Sequence, residues 1–178
     1  MSVWPNFRRD LRRIREIKGR GAFRTFVESM LFDSGFQALV AYRIGSSFRR
    51  WGWPLVPAIC RRWAIGSCGV DILPQARIGG GCYVAHGLGL VVGGTTVIGD
   101  DCTLLQGVTL GEARFTEDAC PRIGNRVTIG AHASVLGGIS VGDDAFVGAG
   151  AVVLEDVPAG SLAVGAPARN RPLADTQP

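Results

Sequence analysis

One of the two histidines in this 178-residue chain, His86, stands where a regular sequence pattern breaks. Gly87 and Gly89 follow it, and glycine permits tight or left-handed backbone turns. An imidazole in such an outward turn can act as a general base near pH 7. Asp71 lies fifteen residues earlier, and a carboxylate bonded to one ring nitrogen would fix the tautomer and stabilise the imidazolium. The pair predicts general-base catalysis; the alternatives are a structural histidine and an aspartate that caps a turn.

The other histidine and the cysteines do not predict a metal site. His132 falls inside the regular hexad IGAHAS, where a surface corner residue is the simplest interpretation. The odd number of cysteines and the lack of a CxxC pair do not indicate a disulfide framework. We interpret them as buried free thiols in a reducing compartment. They are Cys60, Cys68, Cys82, Cys102 and Cys120.

The pattern that His86 interrupts is a repeat of six residues. An aliphatic residue recurs at every sixth position, except for an eight-residue step from Val84 to Val92 and a thirteen-residue step from Leu110 to Ile123. A period of six fits neither strand alternation nor a helix, and it predicts a parallel β-helix in which three hexads form one triangular coil. The aliphatic residues are expected to point inward, together with a small residue four positions after most of them. These small residues are Ala76, Cys82, Cys102, Val108, Val127, Ala133, Ala145 and Ala151.

The two irregular steps predict features outside the prism. Two extra residues at His86 would push the chain outward from the prism wall. Residues 111–122, GEARFTEDACPR, are mostly polar and lack the repeat, so we expect a protruding loop there. Loops on regular scaffolds often carry functional residues.

The first 65 residues have a helical pattern and form the predicted N-terminal region, with the β-helix and a C-terminal tail in residues 66–178. Ser34 and Gln37 have the spacing of a capping box before the segment GFQALVAYRIG. The helices are expected to cover one open end of the prism, since exposed strand edges are unfavourable, and the tail to cover the other.

The charge of the chain is divided between these regions. Residues 1–65 carry a net charge of +9 and residues 66–178 one of −5, so the total of +4 describes neither part and no nucleic-acid partner is predicted. The basic first helix, FRRDLRRIREIK, predicts either a peripheral membrane contact or a solvated basic face. No signal-peptide core or membrane-spanning run is evident, which favours the cytoplasm or the inner face of its membrane.

Several motifs together resemble the serine acetyltransferase family of hexapeptide-repeat O-acetyltransferases, over about residues 36–170. They are DILPQARIG, AHGLGLVVG, LLQGVTLG, PRIGNRVTIGAHASVLGGISVG and VGAGAVV. The resemblance implies a mainly β fold, a left-handed parallel β-helix with an α-helical N-terminal region. It also implies acetyl-CoA as donor, no metal, and a homotrimer with active sites between subunits. The catalytic histidine of the family falls on His86 and its aspartate partner on Asp71.

The resemblance also implies where acetyl-CoA would bind. The region of Gly111 would face the thioester, and the backbones at Ala131 and Ala149 would hold the pantetheine arm. Arg169, in GAPARN, would meet a CoA phosphate, unless it is a solvated charge of the tail. Backbone N–H groups are expected to hold the oxyanion.

Two substrate-binding positions depart from the family pattern. Members that act on serine have an Asp before the catalytic histidine, where this chain has Ala85, and an Arg-His pair before the loop proline, where it has Ala119 and Cys120. Loss of such hydrogen-bonding groups would weaken binding of a zwitterion, at roughly 1.5–3 kcal/mol for each bond. The segment TEDACPRIGN resembles the branch that acts on cell-surface polysaccharides, of the colanic acid type. We therefore expect a sugar hydroxyl as acceptor, free or lipid-linked.

Three other functions remain open at this point. The first is serine O-acetylation in cysteine biosynthesis, against which Ala85 and Cys120 argue. The second is a non-catalytic trimeric scaffold, which would leave the pairing of His86 with Asp71 unexplained. The third is a zinc carbonic anhydrase on the same scaffold, which needs three histidines, whereas this chain has two.

Overall fold

The structure, a computed structural model, describes residues 3–19, 21–114 and 119–173, in which helices come first and short strands follow. The helices are α1 (Val3–Lys18), α2 (Ala22–Phe32), α3 (Ser34–Arg50) and α4 (Leu55–Cys68). The strands of the first coils are β1 (Asp71–Ile72), β2 (Arg77–Ile78), β3 (Tyr83–Val84), β4 (Val91–Val92), β5 (Val97–Ile98), β6 (Thr103–Leu104) and β7 (Thr109–Gly111). Those that follow are β8 (Arg122–Ile123), β9 (Thr128–Ile129), β10 (Ser134–Leu136), β11 (Ser140–Val141), β12 (Phe146–Val147), β13 (Val152–Val153), β14 (Ser161–Gly165) and β15 (Ala168–Pro172).

The strands form three sheets, which are the faces of a prism. The first face has the order β1-β4-β7-β10-β13, the second β2-β5-β8-β11 and the third β3-β6-β9-β12-β14-β15. In the described part of the chain, the strands from β1 to β14 pair in parallel with their neighbours. Strand β15 is antiparallel to β14. Consecutive strands therefore pass from face to face, and the chain winds as a three-sided parallel coil.

The interior of the prism has the composition that the repeat predicts. The second residue of every strand from β1 to β13 is buried, and these are the aliphatic residues at six-residue spacing. The small residues four positions later are buried with them, because the narrow interior has room beside the aliphatic residues only for side chains no larger than that of valine. Burial raises the pKa of the Cys102 thiol to about 11 and raises that of Cys82 further, so both remain protonated thiols inside the prism.

The register of the sheets confirms the irregular step at His86. Val84 pairs with Leu104 on the third face, and Val92 pairs with Leu110 on the first. The segment that turns this corner from Val84 to Val92 is therefore two residues longer than the segment below it, and the strands on both sides keep their alignment. The extra length is confined to the corner.

The second irregular segment leaves the prism between the first and second faces. Its two ends lie on the prism, because Gly111 accepts a hydrogen bond from the Gly137 amide and Pro121 accepts one from the Val97 amide. Residues 115–118 of the predicted loop, and residues 174–178 of the predicted tail, lie outside the described part of the chain. The described part of the tail is the hairpin of β14 and β15, which extends the third face beyond β12.

The helical region packs against the first coil, as the sequence predicts, and supplies partners for its open edge. The Tyr42 hydroxyl donates to the Ala76 carbonyl at 2.7 Å. The Arg43 guanidinium donates to the Ile78 carbonyl at 2.5 Å and to the Gly79 carbonyl. Helix α4 continues to Cys68, past the predicted limit of residue 65. Unpaired strand carbonyls at this end of the prism are thus satisfied by α3.

A buried ion pair joins these helices to the prism. Asp10 of α1 accepts from Arg43 of α3 at 3.0 and 3.1 Å, and it also accepts from the Cys82 amide at 3.0 Å. Burial raises the pKa of Asp10, while the positive charge of Arg43 and the hydrogen bonds oppose this rise. One pair of charges therefore links two helices to the first coil.

The predicted capping box of α3 is displaced by one residue. Asp33, not Ser34, is the N-cap, and its carboxylate accepts from the Phe36 amide at 3.1 Å. Ser34 is the first residue of the helix, and the Gln37 amide group donates to the Met30 carbonyl. The prediction is wrong because an aspartate was available one position earlier and satisfies the helix amides equally well.

Within the described part of the chain, no helix has the length and apolar character that crossing a membrane requires.

We expect Arg43→Met to destabilise the protein by about 3–5 kcal/mol, because it leaves the buried Asp10 carboxylate without its counter-charge. Urea unfolding would measure the loss. The control is Arg49→Met on the same helix, where the exposed side chain should change stability by no more than about 0.5 kcal/mol. Equal effects of the two substitutions would contradict the role of the pair.

Candidate active site

His86 lies exposed at the corner between the third and first faces. Its backbone is left-handed, with φ of 64°, and Gly87 follows with φ of 50°. The turn is held by the Leu88 amide, which donates to the His86 carbonyl at 2.6 Å, and by the Ala85 amide, which donates to the Leu104 carbonyl at 2.8 Å. The inserted residues therefore present the imidazole outside the prism wall, as the sequence predicts.

The N-terminus of α3 packs directly against this turn. The Ser34 hydroxyl donates to the His86 carbonyl at 3.3 Å. A Cβ atom at Gly35 would lie 2.1 Å from the Val84 carbonyl oxygen, so only glycine allows the helix to approach so closely. The position of the imidazole thus depends on where α3 begins.

A cavity of about 620 Å³ opens beside His86, between the helices and the start of the third face. Within it, Lys18 donates to Asp33 at 3.0 Å and to Ser29 at 2.9 Å. The cavity is lined by Lys18, Glu28, Phe32, Asp33, Ser34, Tyr83 and His86. Its walls combine both signs of charge with hydroxyl groups, which suits a small polar acceptor beside a general base. Sequence analysis missed these helical residues because no motif marks them.

The carboxylate of Asp71 is directed to Arg61 and not to His86. Its two oxygens accept from the Arg61 guanidinium at 2.6 and 2.8 Å. The hydrogen bonds among the described residues include none from Asp71 to the imidazole, although the Asp71 amide donates to Leu90, at the end of the His86 turn, at 2.9 Å. The backbone of Asp71 is thus adjacent to the His86 turn, but within a single chain the carboxylate of Asp71 does not bond the imidazole of His86. Arg61 was not predicted, since helix α4 carries no signal that it would reach β1.

Three of the residues predicted to bind acetyl-CoA lie along the same edge as His86. Ala131 and Ala149 follow strands of the third face and precede strands of the first, so they occupy the same corner in lower coils. Their backbones are connected, because the Gly150 amide donates to the Ala131 carbonyl at 2.8 Å. Arg169 is exposed on β15, paired with Val164, near the lower end of this edge. The corners of His86 and Ala149 are three coils apart, or about 14 Å at the usual strand spacing.

The other predicted binding residues are divided between two corners. Ala85 is half-buried beside His86. Gly111 ends β7 at the corner between the first and second faces, and Cys120 is buried at that corner, where its amide donates to the Thr95 hydroxyl at 3.1 Å. Within one chain, Gly111 and Cys120 are therefore at a different corner of the prism from His86.

His132 is an exposed corner residue, as predicted, with a left-handed φ of 58°. Among the side chains that the structure describes, no three of the types His, Cys, Asp and Glu converge as a metal site would require.

Comparison with known proteins identifies the family. A family profile described as "Bacterial transferase hexapeptide (six repeats)" matches residues 120–155. The chain is 45% identical over 143 residues to the serine acetyltransferase of Helicobacter pylori strain J99, which is 80% of this chain and 84% of that relative. It is similar to the soybean serine acetyltransferase apoenzyme, with a TM-score of 0.87 and 38% identity over 96% of this chain and 69% of that one. It is also similar to a serine acetyltransferase in complex with CoA, with a TM-score of 0.85 and 35% identity over 96% and 70% of the two chains. The chain belongs to the serine acetyltransferase family of hexapeptide-repeat transferases.

This membership settles the class of protein and corrects the predicted acceptor. The chain is an acyltransferase, so the non-catalytic scaffold and the carbonic anhydrase are wrong. The prediction of a sugar hydroxyl in polysaccharide biosynthesis is also wrong, because relatives that match most of the chain are named for serine. The prediction gave more weight to Ala85 and Cys120 than to the similarity of the whole chain, and two positions do not determine an acceptor when other walls of the site can supply polar groups.

We expect Gly35→Ala to displace the His86 turn, because the new Cβ would overlap the Val84 carbonyl oxygen. Misplacement of a catalytic group by about 1 Å can cost about 10²-fold in rate. Release of CoA under saturating substrates would measure the effect. The control is Gly66→Ala in α4, where an added Cβ meets nothing within 4 Å. Full activity of the Gly35 variant would show that α3 does not fix the turn.

Proposed function

We propose that this protein is an acetyl-CoA-dependent serine O-acetyltransferase. Its reaction would supply O-acetylserine for cysteine biosynthesis. The observation that carries the proposal is the exposed imidazole of His86, which an insertion lifts out of the prism wall beside a polar cavity, in a chain of this family. We propose in addition that the coil winds left-handed and that the protein acts in the cytoplasm, where its donor is available.

The reaction follows from the position of the base. The serine hydroxyl lies in the cavity, and Nδ1 or Nε2 of His86 takes its proton as the oxygen attacks the thioester carbonyl. The tetrahedral oxyanion, held by backbone amides, then collapses to the ester with loss of the CoA thiolate, which receives the proton back from the imidazolium. General-base assistance of this kind contributes about 10²–10⁴-fold.

The edge below His86 suits the extended arm of acetyl-CoA. The backbone groups at Ala131 and Ala149 occur in successive coils and can bond the amides of the pantetheine. We propose that Arg169 makes a charge-assisted contact with a CoA phosphate at the far end. This arrangement would bring the thioester to the level of the imidazole. The similarity to a serine acetyltransferase solved with CoA supports CoA binding by this chain.

The cavity supplies charged groups that a zwitterion requires. Lys18 and Asp33 bind each other in the free chain, and we propose that serine inserts between them, with its carboxylate on the Lys18 ammonium group and its ammonium group on the carboxylates of Asp33 and Glu28. These side chains are on the helices, whereas Ala85 and Cys120 have no charge to offer. We therefore propose that the helical region provides acceptor binding in this chain.

The separation of the two corners supports a homotrimer. Gly111 and Cys120 cannot act at the His86 edge of their own chain, because a face of the prism lies between the two corners. In a closed ring of three subunits, each loop corner could meet the His86 edge of its neighbour. We therefore propose that active sites lie between subunits, and that Gly111 faces the thioester of the adjacent subunit.

Serine-dependent release of CoA from acetyl-CoA is the direct test of the proposed function. We expect turnover by the wild-type protein and a loss of about 10²–10⁴-fold in kcat for His86→Asn, since asparagine tolerates a left-handed backbone but cannot act as the base. His132→Asn is the matched control, because the second histidine has a similar φ at the same corner two coils further along the stack, and it should retain activity. If the wild-type protein binds acetyl-CoA but serine stimulates no release, the serine proposal is overturned; an active His86→Asn variant overturns the catalytic assignment.

We propose that Asp71 is a positioning residue for His86 in the assembled enzyme, although Arg61 binds it in the single chain. The variants Asp71→Asn and Arg61→Met and their combination separate the two roles. If Asp71 orients the imidazole, Asp71→Asn should lower kcat by about tenfold and move the pH profile even when Arg61 is absent. If the two single variants and the double variant have equal kcat values, Asp71 serves only to anchor Arg61.

A further inference from the structure

The α3–α4 hairpin ends in an exposed apolar turn. Trp51, Trp53 and Leu55 are between 61% and 73% exposed, far more than large apolar side chains usually are. The ring of Phe48 lies edge-on to both indoles, with centroid distances of 5.2 and 6.5 Å. The two tryptophans are therefore ordered by an aromatic contact and yet directed to the exterior.

The outer side of α4 continues this surface. Ile59 and Trp63 follow Leu55 at four-residue spacing, on the same side of the helix, and are 67% and 47% exposed. The opposite side of the helix, with Pro57 and Ala64, is buried. Helix α4 is thus apolar on both sides, whereas a surface helix normally carries polar residues on the outer one.

The charged residues of the hairpin itself are all basic. Residues 34–70 contain no Asp or Glu. Arg43 binds Asp10 and Arg61 binds Asp71. The other three arginines, Arg49, Arg50 and Arg62, have exposed side chains and adjoin the apolar residues in the sequence, and Arg49 and Arg50 also line a cavity with prism residues. We define the hairpin surface as these eight exposed residues: Arg49, Arg50, Trp51, Trp53, Leu55, Ile59, Arg62 and Trp63.

We infer that the hairpin surface binds the protein peripherally to an anionic lipid bilayer. Tryptophan favours the boundary between hydrocarbon and headgroups, and leucine and isoleucine gain by leaving water there. Arginine can keep its charge among phosphate groups while its stem lies over apolar surface. A surface of apolar residues with interspersed arginines therefore suits an anionic bilayer better than a partner that carries no negative charge.

A second copy of the chain is a poorer occupant. If two hairpin surfaces met about a twofold axis, the same exposed arginines of both copies would be brought together without an acidic residue of either hairpin to neutralise them. The basic first helix, for which the sequence left a membrane contact or a solvated face open, is also less suitable. There Arg9 binds Asp100 and Asp101 of the prism, and Ile14 is buried.

Binding at the hairpin surface would leave the catalytic cavity open. Helix α3 has seventeen residues, so Trp51, which follows it, lies about 26 Å along the helix axis from Ser34, which lines the cavity. Variants of the surface should therefore retain transferase activity, and membrane binding does not depend on the identity of the acceptor.

Co-sedimentation of the full-length protein with vesicles tests the inference. We expect binding to mixed phosphatidylcholine–phosphatidylglycerol vesicles, weak binding to phosphatidylcholine alone, and a loss on addition of salt. The double variant Trp51→Ser/Trp53→Ser should bind at least about fivefold less, as should Arg49→Gln/Arg62→Gln, which changes no apolar residue. The control is Phe23→Ser, which removes an aromatic ring that is 82% exposed on α2 and should bind normally.

Three outcomes would overturn the inference. The first is a wild-type protein that stays in the supernatant with the anionic vesicles. The second is normal binding by both hairpin variants when Arg8→Gln/Arg15→Gln on α1 abolishes it. The third is a tryptophan variant that binds vesicles normally but differs from the wild-type protein in the mass of its lipid-free form, measured by sedimentation velocity. That result would identify a second copy of the chain as the occupant of the hairpin surface. If the tryptophan variant does not fold, the arginine variant alone decides.

Discussion

A stack of parallel coils has to be closed at its ends, because each terminal coil exposes strand carbonyls and amides that nothing in the repeat can satisfy. In this protein the first coil is closed by Arg43, whose guanidinium bonds the Ile78 and Gly79 carbonyls while its charge is balanced by Asp10. That contact fixes helix α3 on the prism. The position of α3 then determines two other features, since one end of the helix holds the His86 turn and the other carries the exposed tryptophans.

The features that follow from local periodicity could be predicted from the sequence. The prism, its inward residues and the outward step at His86 depend on a spacing that each hexad repeats, and the register of Val84 with Leu104 and of Val92 with Leu110 agrees with it. His86 could be identified because it interrupts a pattern. A residue that breaks a strict repeat is informative for the same reason that a residue within it, such as His132, is not.

What could not be predicted depends on contacts between distant segments. The cavity is formed where Lys18, Asp33 and Tyr83 meet, and no local pattern links them. The ion pair of Arg61 with Asp71 could not be predicted either. Two adjacent arginines on α4 look alike in the sequence, and only the fold shows that one of them contacts β1. The N-cap of α3 was misplaced by one residue because two suitable polar residues are adjacent. The acceptor was misjudged because Ala85 and Cys120 were given more weight than the similarity of the whole chain.

The way the prism accommodates the His86 turn has a consequence for the diversity of such enzymes. The additional residues are absorbed within one corner, and the strands on either side remain in register, so the corner can carry extra residues without disturbing the pairing of the coils. Natural selection can therefore lengthen, shorten or rewrite a corner without refolding the molecule. A scaffold of this type tolerates new chemistry at any level of the stack, provided that the ends stay closed.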